Sequence, residues 1–184
     1  MSQTDRPSFR PLILGGTGRV GRMLAALWPE DAPAPVWQRR PEAPALRHDD
    51  MIWDILDHDP PAIAHQVSAV VVLAGVTAGS AAELAQNTAL AQAGCALARK
   101  LGIKALVVSS QAVYGRATGA LHEDITPRPV TPYGQAKWEM EQAVRGAGVT
   151  CLRLGNVAGC DGLFAAIARG PLTLDQFPDM HSPR

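Results

Sequence analysis

The stretch Pro11-Leu12-Ile13-Leu14-Gly15-Gly16-Thr17-Gly18-Arg19-Val20-Gly21 limits what this chain can fold into more than any other. Leu12 to Leu14 reads as a short buried strand, and Met23 to Trp28 continues as an apolar helix. Strand, glycine turn and helix form the context that a dinucleotide-binding fingerprint requires. Gly15 permits a tight turn out of the strand, and Gly18 lets backbone approach a pyrophosphate where a Cβ would obstruct it. Gly21 allows the helix to pack close on the strand. Thr17, Arg19 and Val20 share the loop and the helix N-terminus, whose free N–H groups and partial positive charge suit phosphate. Gly16, Gly18 and Gly21 satisfy the same spacing, so the pattern alone leaves two registers open, and a glycine-rich turn with no ligand stands beside both.

At 184 residues the chain is long enough for one domain with a sizeable core. Its formal charge is zero, which argues against a nucleic-acid footprint built on clustered excess base. Cys95, Cys151 and Cys160 lack metal-ligand spacing. Cys95 and Cys151 lie in apolar patterns and read as reduced core residues of a cytoplasmic protein. Met1 to Arg10 has no apolar core of a secretory signal, and no apolar run approaches bilayer length, so no membrane is expected.

In chain order, a proline-rich turn at Pro29–Pro35 leads to a second strand, Val36-Trp37-Gln38, and Met51-Ile52-Trp53 suggests a third. A turn at Asp59-Pro60-Pro61 precedes a helix start. Ser68 to Gly75 is the clearest strand, its unbroken apolar run fitting a parallel strand buried on both faces. Ala81 to Leu101 reads as a long helix closed by Gly102, and Lys104 to Ser109 as another buried strand. Thr131-Pro132 opens a helix running to about Gly146, Val149 to Leu154 forms a sixth strand, and a short helix follows at about Leu163 to Ala168. This alternation implies an α/β fold, a doubly wound parallel sheet (Rossmann-like) with helices on both faces.

Ligands of such sheets bind at the carboxyl ends of the strands. Gly15–Gly21, Arg39, Gly75–Thr77, Ser110 and Asn156 all follow expected strands. The end of the second strand is where the ribose is read. A carboxylate there suits NAD and an arginine suits a 2′-phosphate. Arg39 lies eighteen positions after Gly21 with no Asp or Glu ending the strand, so NADP is the preferred cofactor and NAD the other. Arg39 and Arg40 read equally as a solvated surface pair.

Tyr133 and Lys137 stand at i and i+4 and share one helix face. An ammonium beside a phenol favours phenolate and draws its pKa down from about 10. Such a phenol can exchange a proton with a hydroxyl/carbonyl pair. Ser110 could donate a hydrogen bond to the same oxygen, with the hydride supplied by a nicotinamide.

At this point the chain resembles the extended short-chain dehydrogenase/reductases, the NAD(P)-dependent epimerase/dehydratase family. The resemblance rests on Gly-Gly-Thr-Gly-Arg-Val-Gly at 15–21, Asp54-Ile55, Leu73-Ala74-Gly75, Asn87 and Ser109-Ser110-Gln111-Ala112-Val113-Tyr114-Gly115. It is completed by Tyr133-x-x-x-Lys137 and Arg153-Leu-Gly-Asn156-Val-Ala-Gly159. It implies that Tyr133 is the general acid/base, that Lys137 also binds the nicotinamide ribose, and that Ser110 positions the reacting oxygen. Asp54 and Ile55 would border the adenine, Leu73, Ala74 and Gly75 would border the cofactor, and Asn156 would lie near nicotinamide and substrate. Asn87 matches the family's helix asparagine, and equally reads as a polar residue satisfied within helix packing. Gln111 and Ala112 stand where the family's 4,6-dehydratases carry an Asp-Glu pair, which disfavours dehydratase chemistry. Leu154 and Ala158 replace a usual Pro and Tyr, loosening the inference to a substrate.

The resemblance implies an NAD(P)-dependent oxidoreductase or epimerase acting on a hydroxyl/carbonyl pair of a small-molecule substrate, with a nucleotide sugar as the candidate class. The alternative is a truncated or regulatory cofactor-binding module without turnover. Family members continue well beyond this length. Residues 11–170 are therefore expected to form the NAD(P)-binding domain, and 171–184 a remnant of a substrate-binding segment. Family members pair through the two helices that follow the fourth and fifth strands. Leu84, Leu90, Leu97, Trp138 and Met140 offer apolar surface there beyond one core face, which suggests a homodimer.

Overall fold

The structure, a computed structural model, describes residues 9–45, 50–57, 59–62, 66–117 and 119–159, together with Ile167 and Gly170. The elements run β1 (Pro11–Leu14), α1 (Arg19–Ala26), β2 (Val36–Arg39), β3 (Met51–Ile52) and β4 (Ala69–Val72). They continue with α2 (Ala81–Leu101), β5 (Lys104–Ser110), a 3-10 turn (Gln111–Tyr114), α3 (Pro132–Val144) and β6 (Val149–Leu154). All strand pairs are parallel and the sheet order is β3-β2-β1-β4-β5-β6. The expected doubly wound fold is therefore present. From β1 the chain steps outward through β2 and β3, then returns to the other side of β1. Right-handed crossovers in opposite directions put α1 on one face and α2 and α3 on the other. The reversal opens a crevice at the carboxyl ends of β1 and β4.

Local chemistry sets the element ends. In α2, Ser80 and Glu83 form a reciprocal capping box, and Gly102 closes the helix in the left-handed region at φ 67°. In α3, Thr131 accepts from the Gly134 N–H and Pro132 takes the first turn, where no backbone donor is needed. The core lies between the sheet and α2/α3, with Leu12, Leu14, Val70, Val72, Val107, Ala91, Cys95 and Met140 packed together. Gly94 permits this approach, because a Cβ there would stand 2.5 Å from Val72 Cγ2.

Three expectations change. The long strand at Ser68–Gly75 pairs only over Ala69–Val72. Beyond it, the N–H groups of Leu73 and Ala74 both donate to the Leu14 carbonyl, because β1 ends there. The first helix begins at Arg19 and leaves out Trp28, whose ring packs edge-on against Trp37 with centroids 6.0 Å apart. Finally, Leu84, Leu97 and Met140 are buried within this chain, and Leu90 and Trp138 are partly so. Of the apolar surface that suggested a homodimer, Leu84, Leu97 and Met140 are thus spent on the chain's own core, which leaves Leu90 and Trp138. Cys95 is buried, Cys151 is half-buried and both are free, as core thiols should be, whereas Cys160 lies outside the described residues. Most of the helix start after Pro61, all but Ile167 of the helix at 163–168, and the segment 171–184 also lie outside them. Among the described residues, no helix is long and apolar enough to cross a membrane, and no acidic, histidine or cysteine cluster could hold a metal ion.

Candidate active site

The turn after β1 is built from backbone that side chains would block. Gly15 adopts φ +88°, and a Cβ on it would meet the Ala74 N at 2.6 Å, so β4 and the glycine turn touch through main chain alone. Gly18 is the N-cap of α1 in an extended conformation. It provides no side-chain cap, and the first turn of α1 carries no acidic residue. The amides of Arg19, Val20 and Gly21 are left facing outward at the positive end of the helix dipole. This arrangement fits a dinucleotide pyrophosphate, because free amides and the positive end of the helix dipole meet beside Gly18, where there is no side chain.

A cavity of about 520 Å³ lies against this turn. Gly15, Thr17, Gly18, Asp54, Ile55, Leu73, Ala74 and Gly75 line it, so eight of the candidate cofactor residues converge from three strand ends. Arg19, Val20 and Gly21 start α1 behind Gly18. Gln38, Leu56, Asp57 and Gln86 also line the cavity and were not singled out from the sequence; Val76 from the Gly75–Thr77 stretch, Arg40 and Leu90 line it too. Gln38 is the most informative of these. It is 2% exposed, accepts from the Gly15 N–H at 2.8 Å and donates to the Trp53 carbonyl, tying the glycine turn to β2 and the strand end after β3. A polar side chain in an otherwise apolar buried strand is the signal that could have revealed it.

Arg39 requires a correction. Its guanidinium donates to the carbonyls of Arg40, Pro41 and Ala43, the last at 2.9 Å, and lies 3.7 Å from the buried Asp50. It ties down its own loop and is not among the residues lining the cavity. Arg40 is, and it is exposed with an ion pair to the equally exposed Glu42. Side chains alternate along a strand, so neighbouring arginines serve opposite sides.

At the other end of the cavity, Gly75 brings two further residues in. A Cβ there would stand 2.7 Å from Asn87 Oδ1 and 3.2 Å from Lys137 Nζ. Asn87 is fully buried. It donates to the carbonyls of Val76 and Leu84, both at 2.9 Å, and accepts from the Val76 N–H. It therefore pins the loop after β4, as a polar residue satisfied within the packing. Lys137 is 5% exposed, and its Nζ donates to the Val108 carbonyl at 3.0 Å. Burial lowers its pKa to about 8, against the opposing pull of Glu141.

Tyr133 stands one turn earlier on α3, beside Ser110 at the end of β5. The sequence expectation was a phenol drawn down by the ammonium. Burial instead holds Tyr133 above its usual value, and the Ser110 side chain only partly offsets this. Desolvation outweighs a lysine whose ammonium is turned to a β5 carbonyl. In the free protein Tyr133 is thus a phenol at neutral pH, ready to give a proton rather than accept one. Asn156 lies exposed in the loop after β6, away from the cavity-lining set.

A buried ionic cluster supports these residues from behind. Glu141 is 4% exposed. It accepts from Ser109 Oγ at 2.5 Å and, in a fork, from Arg153 Nε and Nη2 at 3.0 and 2.8 Å. Arg153 Nη1 donates to the Tyr114 hydroxyl at 3.0 Å. Glu141 lies one helical turn from Lys137, and Arg153 is a charge in an apolar strand. That pairing of oddities was the available sequence signal.

The NAD dependent epimerase/dehydratase family model matches residues 11–166. No curated protein matches the chain. Among solved structures, MoeE5 in complex with UDP-glucuronic acid and NAD is 25% identical, with 78% of this chain and 54% of that one covered and a TM-score of 0.64. The UDP-glucuronic acid 4-epimerase from Bacillus cereus, in complex with NAD, is 23% identical over 80% of this chain and 56% of its own, at 0.65. RMD from Pseudomonas aeruginosa, complexed with NADPH, is 24% identical over 80% and 54%, at 0.60. The last two likenesses bear on the fold alone. This chain spans about half the length of these structures. The match of the family model over most of the chain, on a doubly wound parallel sheet, means that the chain belongs to the NAD dependent epimerase/dehydratase family.

Proposed function

We propose that this chain is the dinucleotide-binding part of an NAD(P)-dependent oxidoreductase or epimerase. It would act on a hydroxyl/carbonyl pair, with a nucleotide sugar as the substrate class. The observation that carries the reading is convergence at Gly75. There the cavity that begins at Gly15 and Gly18 meets Lys137, with Tyr133 one turn earlier on the same helix and Ser110 beside it at the end of β5. The MoeE5 complex, whose printed ligands are UDP-glucuronic acid and NAD, favours the sugar-nucleotide class.

In this reading the amides at the start of α1 hold the pyrophosphate, and Asp54 and Ile55 border the adenosine. Lys137 Nζ, beside Gly75, is within reach of the nicotinamide ribose. The nicotinamide, when bound, supplies or accepts the hydride. Ser110 orients the substrate oxygen and Tyr133 passes it a proton. The protonated resting state of Tyr133 suits the reducing direction. In the oxidising direction it must first lose its proton, which becomes easier as pH rises. Arg40, at the cavity, supports NADP(H) as the preferred cofactor, with NAD(H) as the other.

Titration of NADH and NADPH fluorescence, followed by reduction of small carbonyl compounds, tests the reading. Both cofactors should bind measurably. Tyr133→Phe should lower any reductase rate by about 10²- to 10⁴-fold while leaving dinucleotide affinity within a few-fold. Absence of binding by either dinucleotide would overturn it.

A further inference from the structure

Glu141 touches neither the cavity nor the Ser110–Tyr133 pair, yet it is the most heavily bonded carboxylate among the described residues. Three segments that carry candidate site residues meet on it. Ser109 immediately precedes Ser110 on β5 and Arg153 lies on β6 just before the Asn156 loop. Glu141 itself is one turn after Lys137 on α3. Tyr114, at the end of the 3-10 turn, closes the cluster through Arg153, whose guanidinium also stands 4.8 Å from the Tyr114 ring centroid.

Burying a carboxylate and a guanidinium in this way is costly, and an apolar pair of similar volume would often be as stable. The ion pair therefore calls for a reason other than stability. We propose that Glu141 is a positioning residue, holding α3 against the carboxyl ends of β5 and β6 and supplying the buried negative charge that keeps Lys137 a cation beneath the site.

The surroundings of Lys137 support this. From α3, Tyr133 and Glu141 face it. From β5 comes the uncharged Val108 carbonyl, from α3 also the Met140 sulfur at 3.8 Å, from β6 Cys151 and from α2 Asn87, while Ser109 and Arg153 bond to Glu141 and Tyr114 to Arg153. Burial keeps Tyr133 and Cys151 protonated near neutral pH, so neither offers negative charge there. Glu141 is the acidic group there, accepting from Ser109 and from the Arg153 guanidinium. Desolvation has already drawn Lys137 to about 8, where loss of one opposing charge changes its protonation at working pH. The same cluster thus explains how a nearly dry lysine stays charged.

The inference deepens the proposed role of Lys137, but its test needs no cofactor and no turnover. The chain has three lysines, and Lys100 and Lys104 are exposed. Carbon-13 labelling of the lysine ε-carbons should resolve Lys137 as the one that titrates near 8 in the free protein. Glu141→Gln, which preserves shape and one hydrogen-bond acceptor, should lower that midpoint by about one unit or more. Should this variant fail to fold, Glu141→Gln with Arg153→Met replaces the whole buried pair, and its midpoint should lie below that of Arg153→Met alone, because Arg153→Met has already removed the opposing cation. A midpoint that Glu141→Gln leaves unmoved, against the parent or against Arg153→Met, would overturn the inference, even if the variant melted earlier, as loss of a merely structural clamp would make it do. Dinucleotide titration of the same proteins separates the two readings. Failure to bind would count against the proposed function and leave the lysine result standing.

Discussion

Two glycines of the same turn should respond in opposite ways to one added methyl group. A Cβ on Gly21 would stand 2.4 Å from the Gly16 carbonyl oxygen and 2.6 Å from that of Gly15, about 0.6 Å inside the 3.0 Å that real Cβ atoms keep. Both obstacles are backbone, so α1 must move away from the turn. Such overpacking costs about 3 kcal/mol at the upper end of its usual range. The better helix propensity of alanine returns about 1 kcal/mol. Gly21→Ala should therefore destabilise the protein by about 2 kcal/mol, lowering Tm by about 4–8 °C for a domain of this size. Gly18 differs. Its φ of −66° suits alanine, and its Cβ would meet only the Gly15 oxygen at 3.3 Å. Gly18→Ala should stay within about 1 kcal/mol of the parent, yet lose about tenfold or more in dinucleotide affinity, because the methyl group occupies the pyrophosphate cradle. Thermal melts by circular dichroism and NADH fluorescence titration measure the two effects. Equal destabilisation by both substitutions, or unchanged binding by Gly18→Ala, would refute the division of labour.

Lys137 makes the stability pH-dependent with a definite sign. Its native pKa of about 8 lies below the roughly 10.4 of an unfolded lysine. The penalty of charging it is thus fully present below pH 8 and fades as pH rises towards 10.4. Lys137→Met should gain stability relative to the parent at pH 7, by about 2–3 kcal/mol more than at pH 10, read from urea denaturation at both values; an equal difference at the two pH values would be wrong for a buried ammonium. The adjacent arginines should also separate. Arg40→Ala should weaken NADPH binding about tenfold, one cation–phosphate contact, with NADH little changed. Arg39→Ala should lower stability by about 2 kcal/mol or more as its loop loses an anchor, and a cofactor effect from Arg39 alone would reverse this assignment.

How much of this was legible in the chain depended on the range of the interactions. The strand–glycine–helix turn, the Ser80–Glu83 capping box with Gly102, and the Thr131-Pro132 helix start are decided within a few residues by backbone sterics and local hydrogen bonds. They could be read directly, and the alternation they punctuate implied the parallel sheet and the strand ends where the candidate residues gather. The homodimer expectation rested on five apolar residues, and one helix pattern cannot tell whether such a side chain meets another chain or its own sheet. Leu84, Leu97 and Met140 meet their own core. Arg39 and Arg40 are adjacent in sequence, but which one reaches the cavity depends on strand register and on a loop tied to Asp50. The Tyr133–Lys137 spacing was plain, while the direction of the Tyr133 shift was set by desolvation, a property of everything packed around it. Gln38, Asn87 and Glu141 act through partners 11 to 32 residues away. Local sequence thus determined the turns, caps and strand ends, because their energies are short-ranged. Tertiary structure decided the protonation states, the arginine that lines the cavity and the buried polar anchors, because burial and charge act across contacts that the sequence does not order.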